Sequence, residues 1–424
     1  MADLEPGRRR RRRWPFVLLA LALLAAGAAA AVYLTLGDEP GNLSNPDVDF
    51  TETEDAPKPA KPKELTWPVY GLTPERTRYL DAPAVDPPFK KVWRLRIGHL
   101  IEFQPVLANG VLYVVPNDGV ARAVDADDGK VKWSTRVGTL NASSPAFYKG
   151  DLYIATLSKR ITALRAKDGR QRWKRNLPSR TESSPIVIEG VVYLGSEDGT
   201  VYALKAKTGR ILWRYKARGA VKAGLAYSDG RLFFGDYNGQ VTALRAKDGS
   251  RLWRTGTEGR SFGRSGNFYS TPAVKYGRVY LGNTDGFVYS FAARNGELAW
   301  RHKTGAFVYA APAVARVKGT PPTVYIGSYD ENFYALDARS GDVRWKYNAK
   351  GRISGAPTVI GRVVYFSELE NKTTSGIDVR TGRRVFKVST GAFNPAISDG
   401  ERLYITGYSS LLGFESKKRL RKSK

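Results

Sequence analysis

Gly259, Arg260, Ser261, Phe262 and Gly263 match the G-x-S-x-G pattern that sets a serine nucleophile on a sharp turn between a strand and a helix. The chemistry would be acyl transfer, which needs a histidine base beside the serine. The chain has 2 His, His99 and His302, and no helical periodicity follows Ser261, so the pentapeptide reads as a glycine-rich loop. Two isolated histidines also fall short of a metal site. With 0 Cys, thiolate metal ligands, a cysteine nucleophile, a disulfide framework and a lipidated cysteine are excluded. No dense group of Asp, Glu and Asn suits calcium.

The elements that position side chains are set by a repeat. Trp93, Trp133, Trp173, Trp213 and Trp253 recur at a spacing of 40, followed at looser spacing by Trp300, Trp345 and Phe386. From Trp133 onward each is preceded by a glycine turn four residues earlier, at Gly129, Gly169, Gly209, Gly249, Gly296, Gly341 and Gly382. A period near 40 signals stacked supersecondary modules. The unit TESSPIVIEGVVYLGSEDGTVYALKAKTGRILW reads as four short strands, alternating β-branched and aromatic residues between turns that contain glycine. Seven units are complete. The remainder from Lys387 to Phe414 supplies three strands, and FKKVW, ending at Trp93, supplies the missing fourth, which closes the ring and removes two open edges. The sequence therefore predicts an all-β fold, an eight-bladed β-propeller of four-stranded antiparallel blades over residues 67–415. A composition of 42% hydrophobic and 12% aromatic residues over 424 positions agrees with a large globular core.

The formal net charge is +28. The excess persists in the folded body when the terminal runs are set aside, so an anionic partner is compatible with the chain. Residues 1–13 form a basic segment containing Arg8 to Arg13, and 14–36 an uncharged stretch rich in Leu and Ala. About 22 helical residues reach roughly 33 Å, enough for a bilayer core of about 30 Å. Charge before the stretch, with Asp38 and Glu39 after it, predicts a single-pass signal-anchor helix in the cytoplasmic membrane of a bacterial envelope, N-terminus inside and propeller outside. A cleavable signal peptide is the competing reading, with Ala28 to Ala31 as small-residue cleavage sites, although its apolar core usually runs only about 7 to 15 residues. Residues 37–66, with acidic positions and then alternating Pro and Lys, are expected to form a disordered stalk that holds the propeller away from the membrane. Residues 416–424 are a basic C-terminal tail.

The segments ALRAKDGRQRW, ALKAKTGRILW, ALRAKDGSRLW and ALDARSGDVRW resemble the tryptophan-docking repeat of the pyrroloquinoline-quinone propellers, and WPVYGLTPERTRYL resembles that superfamily's approach strand. The resemblance implies an eight-bladed quinoprotein-like propeller in which the Trp of one blade stacks on the glycine turn of the next. That superfamily divides into quinone-dependent dehydrogenases and non-enzymatic propellers of the BamB-like branch. The dehydrogenases carry adjacent cysteines stacked on the quinone, a calcium and a catalytic Asp. A chain without cysteine resembles the non-enzymatic branch, and no catalytic residue, metal or cofactor is expected.

In a propeller, the segments before each innermost strand line a central funnel. Taking Pro105, Pro145, Pro185, Pro272, Pro312, Pro357 and Pro395 as register, these segments present Glu102, Asn141, Glu182, Lys222, Tyr269, Tyr309, Ser354 and Asn394. An insertion before Ser270 adds Arg260, Phe262, Arg264 and Phe268, expected to overhang the same mouth. On the opposite face the docking repeat keeps the family's Asp at Asp125, Asp337 and Asp378 but has Arg165, Lys205 and Arg245 in blades two to four, with Lys167, Lys207 and Lys247 in the same hairpins. These predict a basic arc on one rim. Three readings follow: a membrane-tethered scaffold for envelope proteins, an electrostatic binder of anionic envelope polymers or lipid headgroups, and a quinone enzyme with an atypical site. Nucleic acid fits poorly, since the predicted topology puts the basic body outside the cell.

Overall fold

The structure is a computed structural model that describes residues 41–52, 67–257 and 266–418. Eight four-stranded antiparallel sheets follow one another along the chain, each of which we number as a blade from the one that ends at Trp133. Blade 8 is completed as the sequence predicts. Its outer strand Phe89–Arg96 comes from the N-terminal side and pairs with Ser410–Ser416, Lys91 opposite Phe414 and Arg96 opposite Ser410.

The tryptophan repeat is the joint between blades. Trp173 donates through Nε1 to Ala206 O at 2.8 Å, Trp133 to Ala166 O at 2.9 Å, and Trp300 to Ala338 O at 3.0 Å. Each indole lies flat on the neighbour's turn glycine: a Cβ on Gly209, at φ +67, would come within 2.6 Å of the Trp173 ring. Glycine is required there twice over, for the left-handed backbone and for the close approach.

Two segments from before the ring do further work. Residues 67–80 run inside the channel, accepting from the innermost strands of blades 2, 4, 5 and 6. Phe147 N donates to Pro68 O at 2.7 Å, Tyr227 N to Pro74 O and Val274 N to Glu75 O at 2.8 Å, and Val314 N to Thr77 O at 2.9 Å. Tyr79–Leu80 then lies parallel to the inner strand Thr358–Ile360. Innermost strands have an open edge, and this segment satisfies it.

The second is residues 41–52. The expected disordered stalk over 37–66 does not hold for these twelve positions, which fold as a strap across blade 5. Leu43–Ser44 adds a fifth strand to the outer strand Leu298–Lys303, Leu43 opposite Arg301. Val48 and Phe50 pack against the cluster containing Tyr276 and Trp300. Buried Arg278 donates from Nε to Val48 O at 2.8 Å and from Nη2 to Pro46 O at 2.9 Å. The strap's acids find cations: Asp47 on Arg339 at 2.8 Å, Asp49 on Arg294 at 3.1 Å and Glu52 on Arg316 at 3.4 Å. The composition that reads as disordered is therefore matched to a basic receptor far away in sequence.

The expected segment 14–36 lies outside the described residues. Among the described residues no helix is long and apolar enough to cross a membrane.

Candidate functional site: the funnel mouth

The loops that enter the innermost strands converge as the Pro register requires. Glu102, Glu182, Lys222, Tyr269, Tyr309, Ser354 and Asn394 line one funnel, together with Tyr70 of the channel segment. Two predicted residues face elsewhere. Asn141 is buried, and its amide donates to Val115 O and Ser143 O at 2.7 and 2.8 Å, so it braces its own loop. Phe268 is fully buried, edge-on to Tyr289 and against Gly235, because the chain needs an apolar anchor as it re-enters blade 5. Arg260, Phe262 and Arg264 lie outside the described residues, as does the G-x-S-x-G serine.

A carboxylate cluster and a run of aromatic rings meet at Tyr237 and Tyr269. In the cluster, the Glu182 carboxylate accepts from Lys222 Nζ at 2.8 Å and from the Tyr269 hydroxyl at 2.9 Å. Lys222 Nζ also lies 3.5 Å from Glu197 and 5.4 Å above the Tyr237 ring. Burial, then repulsion from Glu182, pushes the Glu102 carboxyl up to about 7. Burial, then the same two carboxylates, pushes the Tyr269 phenol far up, so it stays a donor. The run of aromatic rings begins at these same two tyrosines. Tyr237, Tyr269, Tyr309 and Tyr329 follow at centroid distances of 6.3, 6.0 and 4.9 Å, and Phe307, 42% exposed, stands 6.0 Å from Tyr309.

Below this mouth the channel is closed. Tyr70 donates to Asn394 Oδ1 at 2.9 Å, and Asn394 Nδ2 to Glu102 O at 2.7 Å. Beneath the Tyr70 ring sits the Arg78 guanidinium, 4.5 Å from its centroid. Arg76 beside it reaches Leu225 O at 2.9 Å and Ser184 O at 3.2 Å, tying blades 3 and 4. Both guanidiniums are fully buried, and burial, then Arg78, lowers Arg76 to about 9. The funnel retains a cavity of about 40 Å³, room for a few waters.

Sequence reasoning missed Tyr237, Tyr329, Phe307 and the two buried arginines. Tyr237 and Tyr329 stand just before the Asn or Asp of the turn between second and third strands, as in DYNGQ and SYDEN, a position the repeat makes readable. Arg76 and Arg78 carry no such signal, since their partners are backbone carbonyls.

The cations of the expected basic arc are partly neutralised. Arg165 pairs with Asp168, and Arg245 with Asp248 at 3.3 Å, within their own hairpins. Lys167, Lys205, Lys207 and Lys247 are exposed.

A pyrroloquinoline quinone, the cofactor of the resembling dehydrogenases, does not fit these residues. The cavity is far below the roughly 300–1,000 Å³ of cofactor pockets. There is no cysteine, and no group of three His, Cys, Asp or Glu that could hold a metal ion among the described residues.

A family model described as outer membrane protein assembly factor BamB matches residues 87–197, 139–223 and 197–418. Among solved structures, BamB from Moraxella catarrhalis superposes with a TM-score of 0.64 at 17% identity, covering 77% of this chain and 100% of that one. Quinohemoprotein alcohol dehydrogenase ADHIIG from Pseudomonas putida HK5 gives 0.70 at 15% identity, covering 85% and 83%. The quinohemoprotein alcohol dehydrogenase from Comamonas testosteroni gives 0.69 at 15% identity, covering 83% and 81%. At such identities the structural likeness concerns the fold. No curated protein matches the chain by sequence. The match of the family model across nearly the whole propeller places the chain in the BamB family.

Proposed function

We propose that the chain is a membrane-anchored, non-catalytic binding propeller that holds envelope proteins at its funnel mouth. The observation that carries this reading is the sealed channel: residues 67–80 fill it, and about 40 Å³ remains above Tyr70. A ring closed in this way offers a surface rather than a reaction chamber. Its aromatic run and carboxylate cluster suit an extended polypeptide segment, through ring contact and charge-assisted hydrogen bonds.

The strap supports a specific pose. Asn42 Oδ1 accepts from Lys303 N at 2.7 Å, at the end of the blade 5 outer strand that leads to Phe307 and Tyr309. If residues 14–36 span the bilayer, five Cα steps separate Leu36 from Gly41, at most about 18 Å. The funnel rim of blades 5 and 6 is then held near the bilayer rather than away from it.

An anionic envelope polymer on the basic arc is the second reading, weakened by the carboxylates that already engage Arg165 and Arg245. In-cell crosslinking from the funnel mouth separates the readings: a recurrent protein adduct supports the first, and a featureless pattern overturns it.

A further inference from the structure

The outer wall of the ring has a composition that the fold does not demand. Its eight outer strands read FKKVWRLR, VKWSTR, QRWKRN, ILWRYK, RLWRTG, LAWRHK, VRWKYN and RVFKV. Each carries at least two Lys or Arg, and none carries Asp or Glu. Lysine on a sheet edge discourages edge-to-edge pairing, but that purpose does not require the total exclusion of carboxylates.

The same strands hold unburied apolar side chains. Val92, Val131, Leu212, Leu252, Val343 and Val385 are exposed, and all lie on outer strands. Blade 5 is covered most fully: Ala299 and Trp300 are completely buried, whereas Trp93 and Trp253 keep a slight exposure and Trp133, Trp173 and Trp213 remain half-buried. The difference is the strap. Among the described residues, Leu43–Ser44 is the one strand added to an outer edge. Only Leu43 and Ser44 pair as a strand, and both stay exposed; the chain then turns over 46–49, where Val48 and Phe50 pack and Asp47 and Asp49 meet Arg339 and Arg294.

From this internal precedent we infer that the open outer edges of blades 2 and 3, Gln171–Asn176 and Ile211–Lys216, are docking sites for a partner segment that pairs briefly as a fifth strand and then lays an acidic turn over the hairpins. Arg172, Lys174, Arg214 and Lys216 on these strands are exposed, Arg172 already 3.1 Å from Asp151 and Lys216 3.7 Å from Asp198. Hairpin residues Lys167, Lys207 and Lys247 stand where the strap's acids meet arginine on blades 5 and 6. Main-chain pairing supplies affinity, and alternate side chains supply selection. This surface is separate from the funnel mouth and needs no membrane anchor.

The test uses the full-length chain in detergent micelles and a synthetic peptide of residues 41–52. A second peptide has Asp47→Asn, Asp49→Asn and Glu52→Gln. Binding is read by anisotropy, and strand addition by hydrogen exchange of the outer-strand amides. The inference expects slowed exchange within 171–176 and 211–216. It expects binding at least tenfold weaker for the neutral peptide and for the chain carrying Lys167→Glu, Lys207→Glu and Lys247→Glu. Equal binding of both peptides, protection confined to 298–303, or binding without amide protection would each overturn it. Polyphosphate that binds as tightly as the peptide without slowing exchange would identify a nonselective polyanion surface and overturn it equally.

Discussion

Asp49 and Arg294 stand 245 residues apart in the chain and 3.1 Å apart in space. The pair is the exposed end of a strap whose buried anchor is Arg278. The two ends should differ sharply in weight. An exposed ion pair contributes about 0–1 kcal/mol, so Asp49→Asn should barely move a urea unfolding midpoint. Arg278→Ala strands carbonyls of Pro46, Val48 and Arg339, and should cost about 2–4 kcal/mol. Hydrogen exchange across 43–51 should rise in the second variant. Unchanged exchange there would show that the strap is held by something other than Arg278.

Interblade docking predicts a contrast between two glycines of similar backbone. Gly230 (φ +73) has nothing within 4 Å of a built Cβ, whereas Gly209 (φ +67) meets the Trp173 ring at 2.6 Å. Alanine at Gly230 should cost about 1–2 kcal/mol for the left-handed backbone. At Gly209 overpacking adds about 1–3 kcal/mol. Thermal unfolding of both variants measures the gap, and equal losses would contradict the stacked geometry.

These two regions mark how far the sequence is readable. The docking glycines recur at fixed distance before each Trp, so blade count, closure by the strand ending at Trp93 and most of the funnel lining follow from the pattern. The strap does not follow, because Asp47, Asp49 and Glu52 look like a solvated acidic run until Arg339, Arg294 and Arg316 are brought beside them. Phe268 misled for a related reason: next to a glycine-rich insertion it reads as part of a loop, yet its ring fills a core position. Arg76 and Arg78 are the extreme case, buried charges whose hydrogen-bond partners are backbone carbonyls and leave no trace in residue types.

The Glu102 carboxyl predicts a pH dependence. Burial, then Glu182, raises it from 4.5 to about 7, so the folded chain binds this proton more tightly than the unfolded chain. The group's contribution to stability is complete below about 4.5 and is lost as pH rises through about 7. Glu102→Gln should therefore flatten that decline and leave the variant more stable than the parent above neutrality. Parallel stability curves for the two proteins from pH 4.5 to 8 would refute the assignment.

Orientation at the membrane can be read because the native chain has no cysteine. A fluorophore on Phe307→Cys, in lipid nanodiscs, should be quenched by headgroup nitroxides. One on Lys207→Cys, on the opposite face, should not. Equal quenching would separate the strap from any role in setting the pose.

The proposed role of the funnel mouth is to bind protein without turnover. A photo-reactive side chain in place of Tyr309, beside the Tyr269 and Glu182 pair, tests it most directly in intact cells. One recurrent protein adduct is expected, reduced at least tenfold by Glu182→Lys. A diffuse ladder of adducts indifferent to that substitution would contradict it.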